Sequence, residues 1–319
     1  MSEQATARTG LLYAVGAYGL WGFVALYFKA VDHVTPGEIL AHRVIWSVVF
    51  CTALLSWAGR WPNVREILRS GPSVGILSAS AWLVAINWLV FIYAVVEGRI
   101  VEASLGYFLN PLVSIVLGMV FLGERLRRWQ WGAVCFAAAG VGLLWAMQGL
   151  PWISLTVAVT FGLYGLVRKT ASPGPLAGLF VETLLLSPIA VGFLVWMQVA
   201  GGGLVFISGA WDDRALLVAA GLVTGLPLLW FAAGANRLRL STMGFLQFTT
   251  PTMQLAIGLL YSEAFGVERA AAFGLIWIGV GVFVWDAMKH RRPRESVQDN
   301  SPDSTRAAAS DVSSPIRRG

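Results

Sequence analysis

Runs of about 20 mostly apolar residues alternate along this chain with short polar breaks. A helix of that length covers the ~30 Å of hydrocarbon in a bilayer. Lipid offers no partners to backbone N–H and C=O groups, so a segment that bonds them internally is the form such runs can take there. The pattern predicts spans over residues 10–29, 38–58, 73–96, 101–122, 130–148, 150–167, 176–199, 214–235, 242–262 and 270–289. Leu150-Pro151 is little more than a turn, and two longer breaks run from Gly59 to Pro72 and from Gly201 to Asp213. Beyond Lys289 the apolar pattern stops, and the Ser-, Pro- and Arg-rich segment 290–319 reads as a disordered tail. The first run follows a polar leader over residues 1–9 and shows no small-residue cleavage site, so it reads as a spanning helix and not a signal peptide.

Composition agrees. Of 319 residues, 57% are hydrophobic and 13% charged, and the mean hydropathy is +0.69. A water-solvated domain carries roughly 25% charged residues, so most of this surface faces something apolar. The net charge of +6 does not mark a nucleic-acid binder, because the basic residues recur between apolar runs. With the N-terminus in the cytoplasm, fifteen Lys and Arg fall on inner segments and four (Lys29, Arg99, Arg214 and Arg269) on outer ones. That bias predicts a multi-pass protein of the bacterial inner membrane with both termini cytoplasmic. Cys51 and Cys135 lie apart in apolar stretches and suggest neither a disulfide framework nor a metal cluster.

The chain also resembles itself. At an offset of 139, Pro36 meets Pro175, Arg43 meets Glu182, Glu124 meets Glu263, and Gly140-Val141-Gly142 meets Gly279-Val280-Gly281. At 140, Phe91 meets Phe231, Arg99 meets Arg239 and Pro111 meets Pro251. At 143, Gly19-Leu20-Trp21-Gly22 meets Gly162-Leu163-Tyr164-Gly165. The expected organisation is a five-helix repeat over 10–148 and a second over 150–289. Five is odd, so the second half enters the membrane from the opposite side, and the halves are expected to be inverted. Inverted repeats give many secondary transporters two states of similar energy around one central site.

Several blocks resemble the RarD branch of the EamA-type transporters in the drug/metabolite transporter superfamily. They are His42-Arg43-Val44-Ile45-Trp46-Ser47, Asn87-Trp88, the run from Glu102 to Leu112 (EASLGYFLNPL), Leu122-Gly123-Glu124-Arg125, and Arg237 to Thr242. The similarity runs from about Leu11 to Met288 and leaves out the tail. It implies an all-α membrane protein of ten helices in two inverted EamA repeats. RarD members are described as chloramphenicol-sensitivity proteins and permeases, and the resemblance supplies no physiological substrate.

Candidate residues follow from the cost of polarity in lipid. A charge at a helix centre costs ~2.5–3.5 kcal/mol on insertion scales, so intramembrane charges mark functional sites. Arg43 and Glu182 each lie about six residues into a predicted span, ~9 Å from its end at 1.5 Å per residue. In inverted halves they sit at mirrored depths about 12 Å apart in a ~30 Å core, flanking one site or held in a structural network. Asn87, Trp88, Tyr107, Asn110, Gln247 and Gln254 form a second group. Their amides both donate and accept, and their rings have apolar faces, which suits a neutral or zwitterionic solute. Interhelical bonding is the plainer reading for any one of them. His42 is a proton-carrier candidate by its pKa range, although helix neighbours point about 100° apart and it need not share Arg43's cavity. Pro111 and Pro251 are candidate kinks or hinges, and the paired glycines read as close helix contacts.

These readings predict a secondary transporter or permease of a small polar or amphipathic metabolite or drug, working by alternating access. Its partners would be a small-molecule solute, the lipid bilayer and a second copy of the chain as a homodimer, with no nucleic acid, cofactor or metal. No ATP-binding motif appears in the sequence, so a gradient or exchange would drive it. A channel, or a receptor or scaffold that has kept the fold, is the alternative. A membrane-embedded lipid-modifying enzyme is the more distant one. It would call for clustered acid–base or metal-binding residues, whereas the sequence has three His and no paired intramembrane aspartates.

Overall fold

The computed structural model describes residues 3–122, 126–171, 174–235, 237 and 246–289. Among these, twelve helices form and no strand. They are α1 (Glu3–Ala30), α2 (Pro36–Ala58), α3 (Trp61–Arg69), α4 (Gly71–Val96), α5 (Ile100–Leu122) and α6 (Arg128–Gln148), followed by α7 (Trp152–Ala171), α8 (Pro175–Ala200), α9 (Val205–Ser208), α10 (Trp211–Ala235), α11 (Thr249–Leu260) and α12 (Val267–Lys289). Seven of them are long and apolar enough to cross a membrane, and α7 carries a shorter apolar stretch, Trp152–Val167. The chain is an all-helical, multi-pass membrane protein.

Helix ends follow local chemistry. Thr35 has extended backbone geometry, and its hydroxyl accepts from the Glu38 N–H at 3.4 Å, with Pro36 in the first turn where its missing N–H costs nothing. Pro175 starts α8 in the same way. Gly59, at φ 63°, ends α2 in the left-handed region that favours glycine. The N-terminal helix begins at Glu3 and not at residue 10, because a helix keeps its hydrogen bonds beyond the bilayer edge and polar residues continue it in water. Two short helices, α3 and α9, occupy the breaks read as loops. In α3, Val64 and Ile67 are buried while Arg65, Glu66 and Arg69 are exposed, a one-turn apolar stripe too short to register as a span.

Eight helices close into a ring in which each packs on the next: α1, α10, α2, α8, α4, α7, α5, α11 and back to α1. Outside it, α6 and α12 pack on one another and touch the ring at α5. Gly140 and Gly279 mark that contact reciprocally. A Cβ at Gly140 would come within 2.8 Å of the Ala272 carbonyl, and one at Gly279 within 2.7 Å of the Ala133 carbonyl. Gly142 and Gly281 face open space, so one glycine of each predicted pair serves the close approach.

The two ends of the ring differ. At one end a single apolar cluster joins seven helices, among them Phe28 and Ile39, Phe91 and Ile100, Ile153 and Leu217. The same end is clasped by polar groups. The Glu38 carboxylate accepts from the Val205 and Phe206 N–H groups at 3.2 and 2.9 Å, Glu263 accepts from Ile100 and Val101 at 2.8 Å each, and Tyr27 donates to the Leu216 carbonyl at 2.8 Å. At the other end the described core divides. One cluster joins α2, α3, α4 and α8 around Leu55, Leu77 and Phe180, and a separate one joins Ala14 and Tyr18 to Trp21, Phe231 and Leu246. Residues 123–125, 172–173, 236, 238–245 and 290–319 lie outside the description, so the expectations for Glu124, Arg239 and the tail are not addressed.

Candidate functional site

The ring encloses a cavity of about 880 Å³, its open mouth included. Its lining matches a site for a small molecule, apolar walls with a few convergent polar groups. The aromatic walls come from Trp21 of α1, Trp88 and Phe91 of α4, Tyr107 of α5, and Phe161 and Tyr164 of α7. The polar groups are Arg43, Asn87, Asn110, Thr224, Gln247, Thr250 and Gln254. Eight residues singled out by the sequence are therefore brought together here: Arg43, Asn87, Trp88, Tyr107, Asn110, Gln247, Gln254 and Pro251.

Arg43 lies about two turns into α2 and is 7% exposed. Its Nε donates to Thr224 Oγ1 at 2.8 Å, and its guanidinium lies over the Trp88 ring at 4.0 Å and the Phe28 ring at 5.6 Å. Such stacking is worth ~0.5–2 kcal/mol depending on desolvation. No ion pair to Arg43 is found among the described residues.

The polar residues divide by what holds them. Asn87 is committed, donating to the Val157 carbonyl at 2.9 Å and to Thr160 Oγ1 at 3.0 Å while accepting from Tyr107 at 3.4 Å. It ties α4 to α7 and α5, which is the interhelical role weighed for it above. Thr250 donates to the Tyr18 carbonyl and Gln254 to the Trp21 carbonyl, fastening α11 to α1. Unlike these, both amide atoms of Asn110 and the Oε1 of Gln254 are buried with no hydrogen-bond partner among the described residues. A buried polar atom left so costs free energy, and a cavity wall is where a ligand can satisfy it.

Glu182 does not line the cavity. It is fully buried on α8, accepting from Ser80 Oγ at 2.5 Å and from Tyr164 OH at 3.5 Å. Tyr164 does line the cavity, so Glu182 adjoins it through that phenol. His42 points elsewhere. Its ring stacks on Phe206 at 4.5 Å and its Nδ1 accepts from Trp46 Nε1 at 3.2 Å, away from the cavity. Pro251 falls in the first turn of α11, where it removes no helical hydrogen bond, and residues 242–245 of the span expected around it lie outside the described residues. Pro111 lies at the twelfth residue of α5, which continues past it. Pro188 of α8 and Pro227 of α10 also lie inside helices, and sequence reasoning passed over both.

Other cavity residues escaped notice too. Thr224 looked like any threonine in an apolar run and carried no signal. Trp21 and Tyr164 did carry one, because they meet at the same place in the repeated Gly-Leu-aromatic-Gly block, and both face the cavity. Among the described residues no group of His, Cys, Asp or Glu is arranged to hold a metal ion.

Comparison with known proteins bears on the same cavity-bearing fold. The EamA-like transporter family matches residues 8–146. The chain is 44% identical over 290 residues to Protein RarD of Salmonella typhi, covering 90% of this chain and 98% of that protein. It is 41% identical over 289 residues to a protein of Vibrio cholerae named an uncharacterized transporter, covering 90% and 95%. A solved crystal structure, 19% identical, superposes with a TM-score of 0.57 over 90% of this chain and 99% of its own, which bears on the fold alone. With the relatives aligned along nearly their whole length, this chain belongs to the RarD branch of the EamA-like transporters in the drug/metabolite transporter superfamily.

Proposed function

We propose that this membrane transporter moves a small polar or amphipathic solute through the ring cavity by alternating access, driven by a gradient or by exchange. The observation that carries the reading is the site itself. Four helices from each half of the chain surround one cavity, and buried polar atoms in its wall have no partner among the described residues.

The inverted-repeat reading, with halves 10–148 and 150–289, finds support in the packing. Exchanging α1 with α7, α2 with α8, α4 with α10, α5 with α11 and α6 with α12 turns every neighbouring pair of the ring into a neighbouring pair, and returns the α2–α8, α5–α11 and α6–α12 pairs to themselves. Direction supports it as well. The large apolar cluster takes residues from the C-terminal end of α1 but the N-terminal end of α7, and from the end of α4 but the start of α10. Equivalent helices thus run oppositely, as inversion requires.

The sealed end is the one opposite the start of α1. With the N-terminus cytoplasmic, as the loop charges favour, the cavity faces the cytoplasm in this conformation. One sealed end fits a carrier that exposes its site to one side at a time. Arg43 in the wall and Glu182 behind Tyr164 are the groups on which we propose solute binding or its coupling depends.

Reconstitution into proteoliposomes tests this. Saturable flux that responds to an imposed gradient or to counter-substrate, and that falls in R43A or E182A, is the expected result. Conductance independent of any gradient, or unchanged flux in both variants once they are shown to be folded and inserted, would reject the reading.

A further inference from the structure

Of the described residues lining the cavity, Arg43 is the one with a formal charge, and no described carboxylate stands against it. The ion pairs described elsewhere, Lys29 with Asp32, Arg99 and Arg269 with Glu102, and Arg127 with Asp286, do not involve it. Glu182, the intramembrane acid matched to it by the repeat, is engaged by Ser80 and Tyr164. Resting on the reading of this cavity as the solute site, we infer that the transported solute is a small organic anion, its carboxylate or phosphoryl group held by Arg43.

The geometry leaves one part of Arg43 for a ligand. Nε is used by Thr224, and Trp88 covers a face of the guanidinium plane. The two Nη nitrogens have no described acceptor, and their in-plane N–H groups form the planar fork that fits carboxylate or phosphate with paired hydrogen bonds. A guanidinium at this depth is costly when nothing compensates it, so a solute that brings the counter-charge recovers free energy that a neutral one does not. A cationic solute would meet like charge with no carboxylate in the lining to offset it.

The rest of the wall describes the rest of the solute. Trp21, Trp88, Phe91 and Phe161 present flat apolar faces that suit a planar or hydrocarbon body. Asn110 and Gln254, on α5 and α11, keep two acceptor oxygens and one donor nitrogen without a partner among the described residues. A second polar function, such as a hydroxyl or an amide on the anion, would satisfy them. The expected solute is therefore charged at one end, apolar through the middle, and hydrogen-bonding elsewhere.

Thermal unfolding of the purified full-length protein, with four ligands that share one body, tests this. The ligands are 3-phenylpropionate, 2-phenylethyl phosphate, 3-phenylpropanamide and 3-phenylpropylamine. An acid should raise the Tm of the wild type, while the amide and the amine should not. The larger response of the two acids distinguishes a carboxylate from a phosphoryl solute. R43Q should weaken the acid response at least about tenfold, and R43K, which keeps the charge without the fork, should lie between. Amide or amine acting as strongly as the acids, no response to either acid at ~10 mM, or an undiminished response in R43Q would each overturn the inference. The wild-type comparison decides even if R43Q does not fold. Acid binding without flux in proteoliposomes would reject the transport reading and leave the anion site standing. Saturable flux of a neutral solute indifferent to both acids would do the reverse.

Discussion

Thr224 and Trp88 decide how Arg43 presents its charge, because one holds the Nε edge and the other covers the guanidinium face. Valine at 224 keeps the volume and removes the acceptor, so T224V should fold normally yet lower solute affinity about tenfold or more, the effect of one hydrogen bond to a charged group. A flux titration reads this as a raised half-saturating concentration with Tm unchanged. His42, one residue away, stacks on Phe206 and accepts from Trp46. H42Q should therefore leave both the flux and its pH profile as in the wild type; a shifted profile would return the proton-carrier role to it. Both outcomes turn on the ~100° between adjacent helical positions.

Among the elements, α6 and α12 meet through Gly140 and Gly279, each set against a carbonyl of the opposite helix. A leucine at either site must push backbones apart, so G140L and G279L should each lower the apparent Tm by several degrees, in keeping with overpacking costs of ~1–3 kcal/mol. G142L and G281L, which meet nothing, should not. The loop before α12 contributes a clasp to the sealed end, where Glu263 accepts from two N–H groups at the start of α5. E263A should cost about 1–2 kcal/mol for the partners it loses. Burial holds the Glu263 carboxyl above the ordinary carboxylate range, against the pull of those two N–H groups. With the folded pKa above the unfolded one, its contribution is complete in acid and is lost as pH rises through the folded value. E263Q does not titrate and should remove that part of the slope when Tm is followed from about pH 4.5 to 7.

For the whole molecule, the difference between the ends of the ring predicts which face reaches the cavity. Leu228 lines the cavity on α10, toward the end where the core divides. In a background with Cys51 and Cys135 replaced, L228C should react with a membrane-impermeant maleimide in inside-out vesicles and be protected in intact cells. A reporter fused at the C-terminus fixes the orientation independently. Labelling from the opposite face with a cytoplasmic C-terminus would reverse the assignment of the sealed end. The sealed end should have to part for transport, since Tyr27, Glu38 and Glu263 bridge elements there.

Much of this was legible in the chain, because bilayer thickness and the cost of polarity in lipid act on single segments. The apolar runs predicted spans that coincide with the long helices to within a few residues, apart from the early start of α1 and the ends of α11. Polarity at intramembrane depth picked out Arg43, Asn110 and Gln254 with no knowledge of which helices adjoin. What needed the tertiary structure was every property that depends on neighbours. Asn87 and Asn110 are alike in sequence, yet Asn87 is used by Val157 and Thr160 while Asn110 is left for the cavity. Arg43 and Glu182 matched in the repeat, but only packing put one in the wall and the other behind Tyr164. Thr224 gained its role because α10 packs beside α2 and sets it against Arg43, 181 residues away in the chain. Segment length and polarity are written locally in a membrane protein, whereas the partner of each buried polar group is set by which helices the ring brings together.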